Sequence, residues 1–292
     1  MTKRHTTLRL PDWLRRQPGK DSQNRLIREK LAPGLHTVCE SALCPNRGEC
    51  FSRGTVTFMI LGNICTRNCA FCAVESGQSA PLIPAIDPAE PEQVAKTAAE
   101  LKLKHVVITS VTRDDLPDQG AVQFARTIRA VRQLLPQASI EVLTPDFQGE
   151  TALLDVVLQA GPDVFNHNME TVPRLYPSIR PQALYQRSLA VLKYAAGTST
   201  SSVTKSGLMV GLGETEDEII SVLHDLKNNG VQIVTIGQYL APSRKHAPVK
   251  EYVSPEQFNK YREIGEKLGL KQVFSAPLVR SSYRAEEVFT KS

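Results

Sequence analysis

The sequence predicts an α/β fold in which six strand-plus-helix units form a partial (β/α)6 barrel of the TIM type. Strand and helix patterns alternate from about Thr55 to Gly269, and short connections between such units indicate a parallel sheet. The strands are uninterrupted apolar runs, which suit a sheet that is buried on both faces. A closed barrel needs eight units, so six units predict an open one. The chain has 292 residues, of which 41% are hydrophobic, and can therefore bury this core as one domain.

The six predicted strands follow one another at regular intervals along the chain. The first is the apolar run at residues 55–61, which ends at Gly62-Asn63. The later strands are predicted at residues 105–111, 139–143, 164–170, 205–210 and 233–240.

Each predicted strand is followed by a helical pattern with recognisable start and stop signals. Thr215 and Glu218 form a capping-box pair, and Ser254, followed by Pro255, caps the last helix. Pro136 stops the second helix. The six helices are predicted at residues 91–103, 120–135, 150–159, 183–196, 215–229 and 254–268.

Segments of different composition flank the barrel and divide the chain into residues 1–53, 54–270 and 271–292. The first 30 residues contain nine Lys or Arg and three Asp or Glu, and we expect a basic, solvated arm that steers an acidic partner. A transit peptide and a nucleic-acid arm are the alternatives, although the arm lacks interleaved aromatic residues. Residues 31–53 are rich in Pro and Gly, which predicts loops. No apolar run reaches the roughly 18 residues that a membrane span needs.

Cys65, Cys69 and Cys72 form a Cys-x3-Cys-x2-Cys group directly after the first predicted strand. A cubane iron–sulfur cluster has four iron corners, so three thiolates leave one iron without a protein ligand. A structural zinc site prefers four ligands, usually in two separated pairs, and is the main alternative. The spacing therefore favours a [4Fe–4S] cluster with one open iron.

A second triad, Cys39, Cys44 and Cys50, precedes the first, and all six cysteines of the chain lie between residues 39 and 72. This clustering favours a second metal centre over scattered core cysteines. It also favours a reducing compartment over a disulfide framework. Because no apolar signal-peptide core follows Met1, we expect a cytoplasmic protein.

The spacing at the later triad, with Phe71 before its last cysteine, resembles the motif of the radical S-adenosylmethionine (SAM) superfamily. With the upstream triad and the run Arg280-Ser281-Ser282-Tyr283-Arg284, the chain is similar to the lipoyl synthase family from about Leu10 to Tyr283. The superfamily resemblance implies the same partial barrel. It also implies that the later cluster binds SAM through its open iron and that one electron cleaves SAM to methionine and a 5′-deoxyadenosyl radical.

The family resemblance further implies a reaction. The radical abstracts hydrogen from C6 and C8 of an octanoyl chain on a carrier-protein lysine, and a second [4Fe–4S] cluster is consumed as the sulfur source to give a lipoyl group. The implied ligands of that cluster are Cys39, Cys44, Cys50 and Ser282. From the residues alone, Ser281 and Ser282 are equivalent. An iron–oxygen bond to serine is easier to break than an iron–thiolate bond, which gives Ser282 a catalytic role beside Cys65, Cys69 and Cys72.

The resemblance also implies partners. They are octanoylated lipoyl carrier domains or proteins, an electron donor such as ferredoxin or flavodoxin, and iron–sulfur cluster carrier proteins. No nucleic acid and no membrane is expected among them.

Polar residues at the carboxyl ends of the strands are the candidates for binding SAM, because this edge of a parallel barrel builds the active site. Alternation places Asn166, Asn168 and Glu170 on one face of the fourth strand, where buried polar groups need a ligand or a partner. His167, on the other face, is expected to be a packing residue. The remaining candidates are Thr109 and Ser110 at the end of the second strand, Gly211 and Gly213 after the fifth, and Gln238 near the end of the sixth.

Two other functions fit parts of this pattern. Another radical SAM enzyme with an auxiliary cluster, such as a methylthiotransferase, would give a different product and often carries an appended RNA-binding domain. A non-catalytic iron–sulfur or zinc protein would not cleave SAM and would have no need of polar strand ends.

Overall fold

The computed structural model describes residues 9–15, 29–31, 34–41, 44, 46, 49–50, 55–77, 83–198 and 202–282. Most of the basic arm predicted at residues 1–30 lies outside these ranges, as do Tyr283 and Arg284. No helix within the described ranges is both long enough and apolar enough to span a bilayer.

The described residues form ten strands, eight of which belong to one sheet. The strands are β1 (His36–Thr37), β2 (Val56–Ile60), β3 (Ile64–Cys65), β4 (Glu75–Ser76), β5 (His105–Ser110), β6 (Ser139–Leu143), β7 (Val164–Asn166), β8 (Val203–Val210), β9 (Ile233–Gln238) and β10 (Gln272–Ser275). The large sheet has the linear order β1-β2-β5-β6-β7-β8-β9-β10, and β3 pairs with β4 separately. Strands β2 to β10 of the large sheet are parallel to their neighbours, whereas β1 is antiparallel to β2.

The α-helices of the described residues alternate with the strands from β2 onward. They are α1 (Val38–Ser41), α2 (Glu90–Glu100), α3 (Ala121–Leu134), α4 (Thr151–Leu158), α5 (Tyr176–Ile179), α6 (Tyr185–Thr198), α7 (Glu216–Asn228) and α8 (Pro255–Lys267). The predicted capping box of α7 is present: Thr215 accepts a hydrogen bond from the Glu218 N–H, and the Glu218 carboxylate accepts one from the Thr215 N–H. The six predicted strand-plus-helix units and the open, partial barrel are confirmed.

The sheet is larger than the six predicted strands. A seventh parallel strand, β10, joins β9, so the barrel takes in part of the segment at residues 271–292 that was expected to flank it. The loop-rich N-terminal segment supplies β1, in which His36 pairs with Met59 and Thr37 with Phe58. These strands have four and two residues, too few for periodicity to distinguish them from loop.

The fourth strand of the barrel is shorter than the predicted 164–170. Strand β7 ends at Asn166, and Glu170 forms an isolated bridge with Leu208. Glu170 has a φ of 66°, a left-handed conformation that an extended strand does not allow. Residues 167–169 therefore leave the regular ladder at the edge of the barrel where a site is expected.

The two faces of the sheet are buried in different ways. Phe58, Ile108, Ile140 and Phe165 face the covering helices and are fully buried with them in one hydrophobic cluster, whereas the barrel interior holds a buried charge pair. Lys205 of β8 donates to both carboxylate oxygens of Glu141 of β6, at 2.9 and 3.0 Å. Burial alone would raise the pKa of Glu141, but Lys205 and His105 lower it to about 2. The carboxylate is therefore charged inside the barrel.

Candidate active site

A cavity of about 540 Å³ lies at the carboxyl ends of the barrel strands, the edge at which a parallel barrel builds its active site. All six cysteines contribute to its wall, together with Ser281 and Ser282. All six cysteines are free thiols. The fold thus brings two cysteine triads and the serine pair from three separate segments to one cavity.

The motif triad consists of Cys65, Cys69 and Cys72. Cys65 is the last residue of the short strand β3, and the other two lie on the loop, here called the motif loop, that leads to β4. The Cys65 sulfur accepts hydrogen bonds from the backbone N–H groups of Arg67, at 3.4 Å, and Thr112, at 3.3 Å. The Cys72 N–H donates to the Cys69 carbonyl at 3.1 Å. These bonds form a compact turn in which all three side chains reach the cavity wall.

Arg67 ties the motif loop to the barrel. Its guanidinium binds both oxygens of Asp114, at 2.7 and 2.8 Å, and Asp146 at 2.7 Å. Burial alone would raise the pKa of Asp146, but the hydrogen bond and charge of Arg67 lower it to about 2. A buried arginine shared by two carboxylates holds a defined geometry, so the loop is fixed against the ends of β5 and β6.

The loop between β9 and α8 holds the motif loop from the other side. The Ala247 N–H donates to the Ala70 carbonyl at 2.8 Å, and a His246 ring nitrogen lies 3.0 Å from the Cys72 carbonyl. The Ala70 N–H donates to the Ile179 carbonyl at 2.9 Å. The motif triad is therefore fixed by contacts from three parts of the barrel.

Cys39, Cys44 and Cys50, here called the auxiliary triad, follow β1 along the edge of the sheet. Cys39 lies on α1, and its carbonyl accepts a hydrogen bond from the Cys44 N–H at 3.2 Å. The Cys50 N–H donates to the Asn46 carbonyl at 2.9 Å. Because β1 is paired with β2, the start of this segment has a fixed position beside the cavity.

Burial disfavours the thiolate form at three of the cysteines. Burial raises the pKa of Cys39 to about 11 and that of Cys72 to about 12, and it also raises the pKa of Cys69. Metal ligation requires thiolates, so binding of iron at these positions releases protons.

Each triad offers three thiols to one side of the cavity. Three thiolates are a donor set that suits a [4Fe–4S] cluster with one corner left for another ligand. Across the described part of the chain, no three His, Cys, Asp or Glu side chains converge on a point where a single ion could bind.

Several buried polar atoms around the cavity have no partner among the described residues. Such atoms are costly unless a ligand or water satisfies them. They are Ser110 Oγ, Thr144 Oγ1, Asn168 Oδ1, Arg180 Nε and Asn46 Oδ1. Their position on the wall of the cavity fits a polar small molecule such as SAM.

The residues predicted to bind SAM divide into those on the cavity wall and those off it. Thr109, Ser110, Asn168, Glu170 and Gln238 are on the wall. Thr109 Oγ1 donates to the Leu143 carbonyl at 2.8 Å. Gln238 Nε2 lies 2.9–3.1 Å from three carbonyl oxygens, which share its two N–H groups, and Gln238 Oε1 accepts from the Val253 N–H. Gln238 therefore fixes the following loop and has little capacity left for a ligand.

Asn166, Gly211 and Gly213 do not line the cavity. Asn166 is fully buried, and its Nδ2 donates to Glu141 at 3.0 Å, which places it in the charged layer below the cavity. The Glu214 carboxylate accepts from the N–H groups of Gly211 and Leu212, and the Gly213 carbonyl accepts from Arg174. The glycine turn is thus stabilised by its own neighbours.

Arg180 is a cavity residue that the sequence pattern did not indicate. It is 9% exposed, donates to the Asn168 and Met169 carbonyls at 3.0 and 3.1 Å, and lies over the Tyr176 ring at 5.3 Å. Burial raises the pKa of the neighbouring Glu170 carboxyl, and Arg180 partly offsets this effect. Arg180 follows a short helix and precedes Pro181, so no periodicity marks it as inward-facing.

His167 is satisfied by the protein. Its Nδ1 lies 2.9 Å from the Thr144 carbonyl oxygen and its Nε2 lies 3.0 Å from Ser188 Oγ. Burial, with the nearby charge of Arg180, lowers its pKa to about 4. The ring nitrogens of His167 are thus satisfied within the protein, as expected. The expected placement on the other face is wrong, because the strand ends at Asn166 and His167 lies on the cavity wall.

Comparison with known proteins identifies the family. A model of the radical SAM superfamily matches residues 59–226. The chain is 55% identical over 280 residues to a lipoyl synthase of Caldanaerobacter subterraneus subsp. tengcongensis, covering 96% of this chain and 97% of that protein. The chain belongs to the lipoyl synthase family. The family also includes a mitochondrial lipoyl synthase of Nematostella vectensis, 52% identical with 95% of this chain and 94% of that protein covered.

Solved structures outside the lipoyl synthase family share the fold. Methylornithine synthase has a TM-score of 0.56 at 14% identity, covering 75% of this chain and 63% of that one. Coproporphyrinogen III oxidase of Escherichia coli, described as a radical SAM enzyme, has a TM-score of 0.54 at 16% identity, covering 84% and 61%. At such identities the likeness concerns the barrel alone. Membership of the superfamily implies a [4Fe–4S] cluster and SAM.

Proposed function

We propose that this chain inserts two sulfur atoms, at C6 and C8, into an octanoyl group carried on a lysine of a lipoyl carrier protein, and so forms a lipoyl group. The observation that carries the proposal is the meeting of two cysteine triads and a serine pair on the wall of one cavity. The identity to lipoyl synthases over nearly the whole chain supports it.

The two triads have different roles in this proposal. The motif triad holds a [4Fe–4S] cluster whose fourth iron binds SAM, and the auxiliary triad with Ser282 holds a second [4Fe–4S] cluster. When bound, the first cluster with SAM supplies a 5′-deoxyadenosyl radical and the second supplies sulfur. Three thiolates leave one iron of each cluster without a cysteine ligand. At the first cluster this position is open to SAM, and at the second it is filled by the more weakly bound oxygen of Ser282.

The chain itself supplies position and a dry environment. Arg67, fixed between Asp114 and Asp146, holds the motif triad in place. Ser110 Oγ and Asn168 Oδ1 offer buried acceptors, and Arg180 Nε a donor, for the polar groups of SAM. The apolar part of the wall suits an octanoyl chain and is formed by Met59, Val111, Leu143, Leu208 and Met209.

The open barrel suits a substrate attached to another folded protein. Strands β1 and β10 are the two ends of the sheet order, so the sheet does not close around the cavity. An octanoyl-lysine arm on a carrier domain needs such an opening. We expect ferredoxin or flavodoxin as reductant, iron–sulfur carrier proteins to rebuild the auxiliary cluster, and the reducing conditions of the cytoplasm for the thiols.

A single-turnover assay tests the proposed function. The protein is reconstituted with iron and sulfide without air, then mixed with SAM, a reductant and an octanoyl-lysine peptide. We expect a lipoyl peptide, with two SAM molecules cleaved for each product. SAM cleavage with a methylthiolated or unchanged peptide would contradict the proposal, and no SAM cleavage would favour a non-catalytic iron–sulfur protein.

A further inference from the structure

The loop that carries the serine pair, residues 276–282 and here called the serine loop, is attached to the barrel at its beginning. The Pro277 carbonyl accepts a hydrogen bond from the Gln238 N–H at 3.1 Å. A Cβ at Gly237 would collide with the Val279 carbonyl oxygen, so the loop lies directly on the backbone of β9. These contacts fix residues 277–279, whereas Ser282 lies further along.

Asn46 connects the auxiliary segment to the same loop. Its Nδ2 donates to the Leu278 carbonyl at 2.6 Å, across 232 residues of sequence. The side chain is fully buried, and its Oδ1 has no partner among the described residues. A reversed amide would place two acceptor oxygens together, so this bond fixes the orientation of the amide.

Asn46 also contacts the auxiliary triad through its main chain. Its carbonyl accepts the Cys50 N–H at 2.9 Å. One residue therefore contacts the cysteine segment by its backbone and the serine loop by its side chain. A substitution of the Asn46 side chain removes the contact with the serine loop and leaves the backbone carbonyl that accepts the Cys50 N–H.

We infer that Asn46 is a positioning residue that keeps the serine loop docked beside the auxiliary triad, so that the Ser282 oxygen is available as the fourth ligand of the auxiliary cluster. The inference rests on the proposed function, since it needs a cluster at Cys39, Cys44 and Cys50. A docked loop keeps the oxygen at high effective concentration, which lets a weak ligand be released and captured again without loss of the cluster.

The test measures the auxiliary cluster alone. In the full chain, Cys65, Cys69 and Cys72 are replaced by Ala, the protein is reconstituted without air, and the rate at which a ferrous chelator removes iron is followed by absorbance. The variants are Asn46→Ala, Ser282→Ala, both together, and Asn46→Ala with Ser282→Cys. Asn229→Ala, which removes another side-chain amide bound to a backbone carbonyl, is the control.

We expect Asn46→Ala to speed iron loss by about two- to tenfold, because the variant loses one hydrogen bond that docks the serine loop. Ser282→Ala should speed it at least as much, and Asn46→Ala should add nothing in the Ser282→Ala background, because both act through one ligand. Ser282→Cys should restore slow iron loss to the Asn46→Ala chain, since a thiolate binds iron strongly without help from the loop. The Asn229→Ala control should match the parent.

Three results would overturn the inference: an unchanged rate in Asn46→Ala, an equal acceleration by Asn46→Ala with and without Ser282, or an unchanged rate in Ser282→Ala. If Asn46→Ala does not fold, as judged by thermal unfolding of the metal-free chain, Asn46→Ser repeats the series with a small polar side chain. Failure of the proposed function is recognised separately, because the parent would then bind no auxiliary cluster or the unsubstituted enzyme would form no lipoyl product.

Discussion

At the scale of single residues, the cavity separates side chains that the protein satisfies from those that it leaves for ligands. His167 and Gln238 have complete sets of partners, whereas Ser110 and Asn168 each retain an oxygen without one among the described residues. The sequence sets His167 apart, but it marks Gln238, Ser110 and Asn168 in the same way, as polar residues near strand ends. Hydrogen-bond partners decide which of these side chains are satisfied. The partners come from distant segments, which alternation along one strand does not reveal.

His167 makes the stability of the metal-free protein depend on pH. Its pKa is 6.5 in an exposed setting and about 4 in the fold, so the unfolded chain takes up a proton first and stability falls as pH drops through this window. We expect the protonation of this residue in the unfolded chain to lower the free energy of unfolding by about 2 kcal/mol at pH 5 relative to pH 7. Urea unfolding should show that His167→Gln loses less stability than the parent over this range. An equal loss in both would contradict the assignment, and the exposed His224→Gln is the control.

At the scale of elements, the long helices and strands with a regular apolar pattern were predicted correctly from the sequence, and the short ones were not. The six long helices repeat their apolar pattern over many residues, and the capping box marks the start of α7. The structure confirms both predictions. Strand β10 and helix α5 have four residues each, which is too short for a pattern. Alternation along a strand predicts the face that a residue occupies but not its depth: Asn166 lies with Glu141 in the barrel interior, one layer below the cavity wall.

The contact between β9 and the serine loop gives a prediction at this scale. Gly237→Ala adds a methyl group against the Val279 backbone, which cannot move as a side chain could. We expect the serine loop to shift and the auxiliary cluster to be lost faster, with the motif cluster retained. Gly197→Ala, in α6 with open space around it, is the matched control and should change neither. The measurement is the iron that each variant retains after treatment with a chelator. Equal iron contents in the two variants would show that the serine loop tolerates the methyl group and would contradict the prediction.

At the scale of the whole molecule, the barrel is held by a charge pair that joins strands far apart in sequence. Lys205 and Glu141 are both essentially unexposed, and no local pattern relates β6 to β8. Removing one charge of a buried pair leaves the other uncompensated, at a cost of about 3–5 kcal/mol. We therefore expect Lys205→Met to destabilise the chain strongly and Lys205→Met with Glu141→Leu to be more stable than that single variant. Urea unfolding at pH 7 measures both, and a double variant less stable than the single one would contradict this account.

The proposed function requires two separate iron–sulfur centres, each with three cysteine ligands, beside one cavity. The most direct measurement counts iron and sulfide in the anaerobically reconstituted chain and in two variants, one with Ala at the three motif cysteines and one with Ala at the three auxiliary cysteines. We predict roughly eight of each in the parent and roughly four in either variant, as two independent cubanes require. A parent with roughly four, or a variant that loses all of its iron, would mean that the six cysteines serve a single centre.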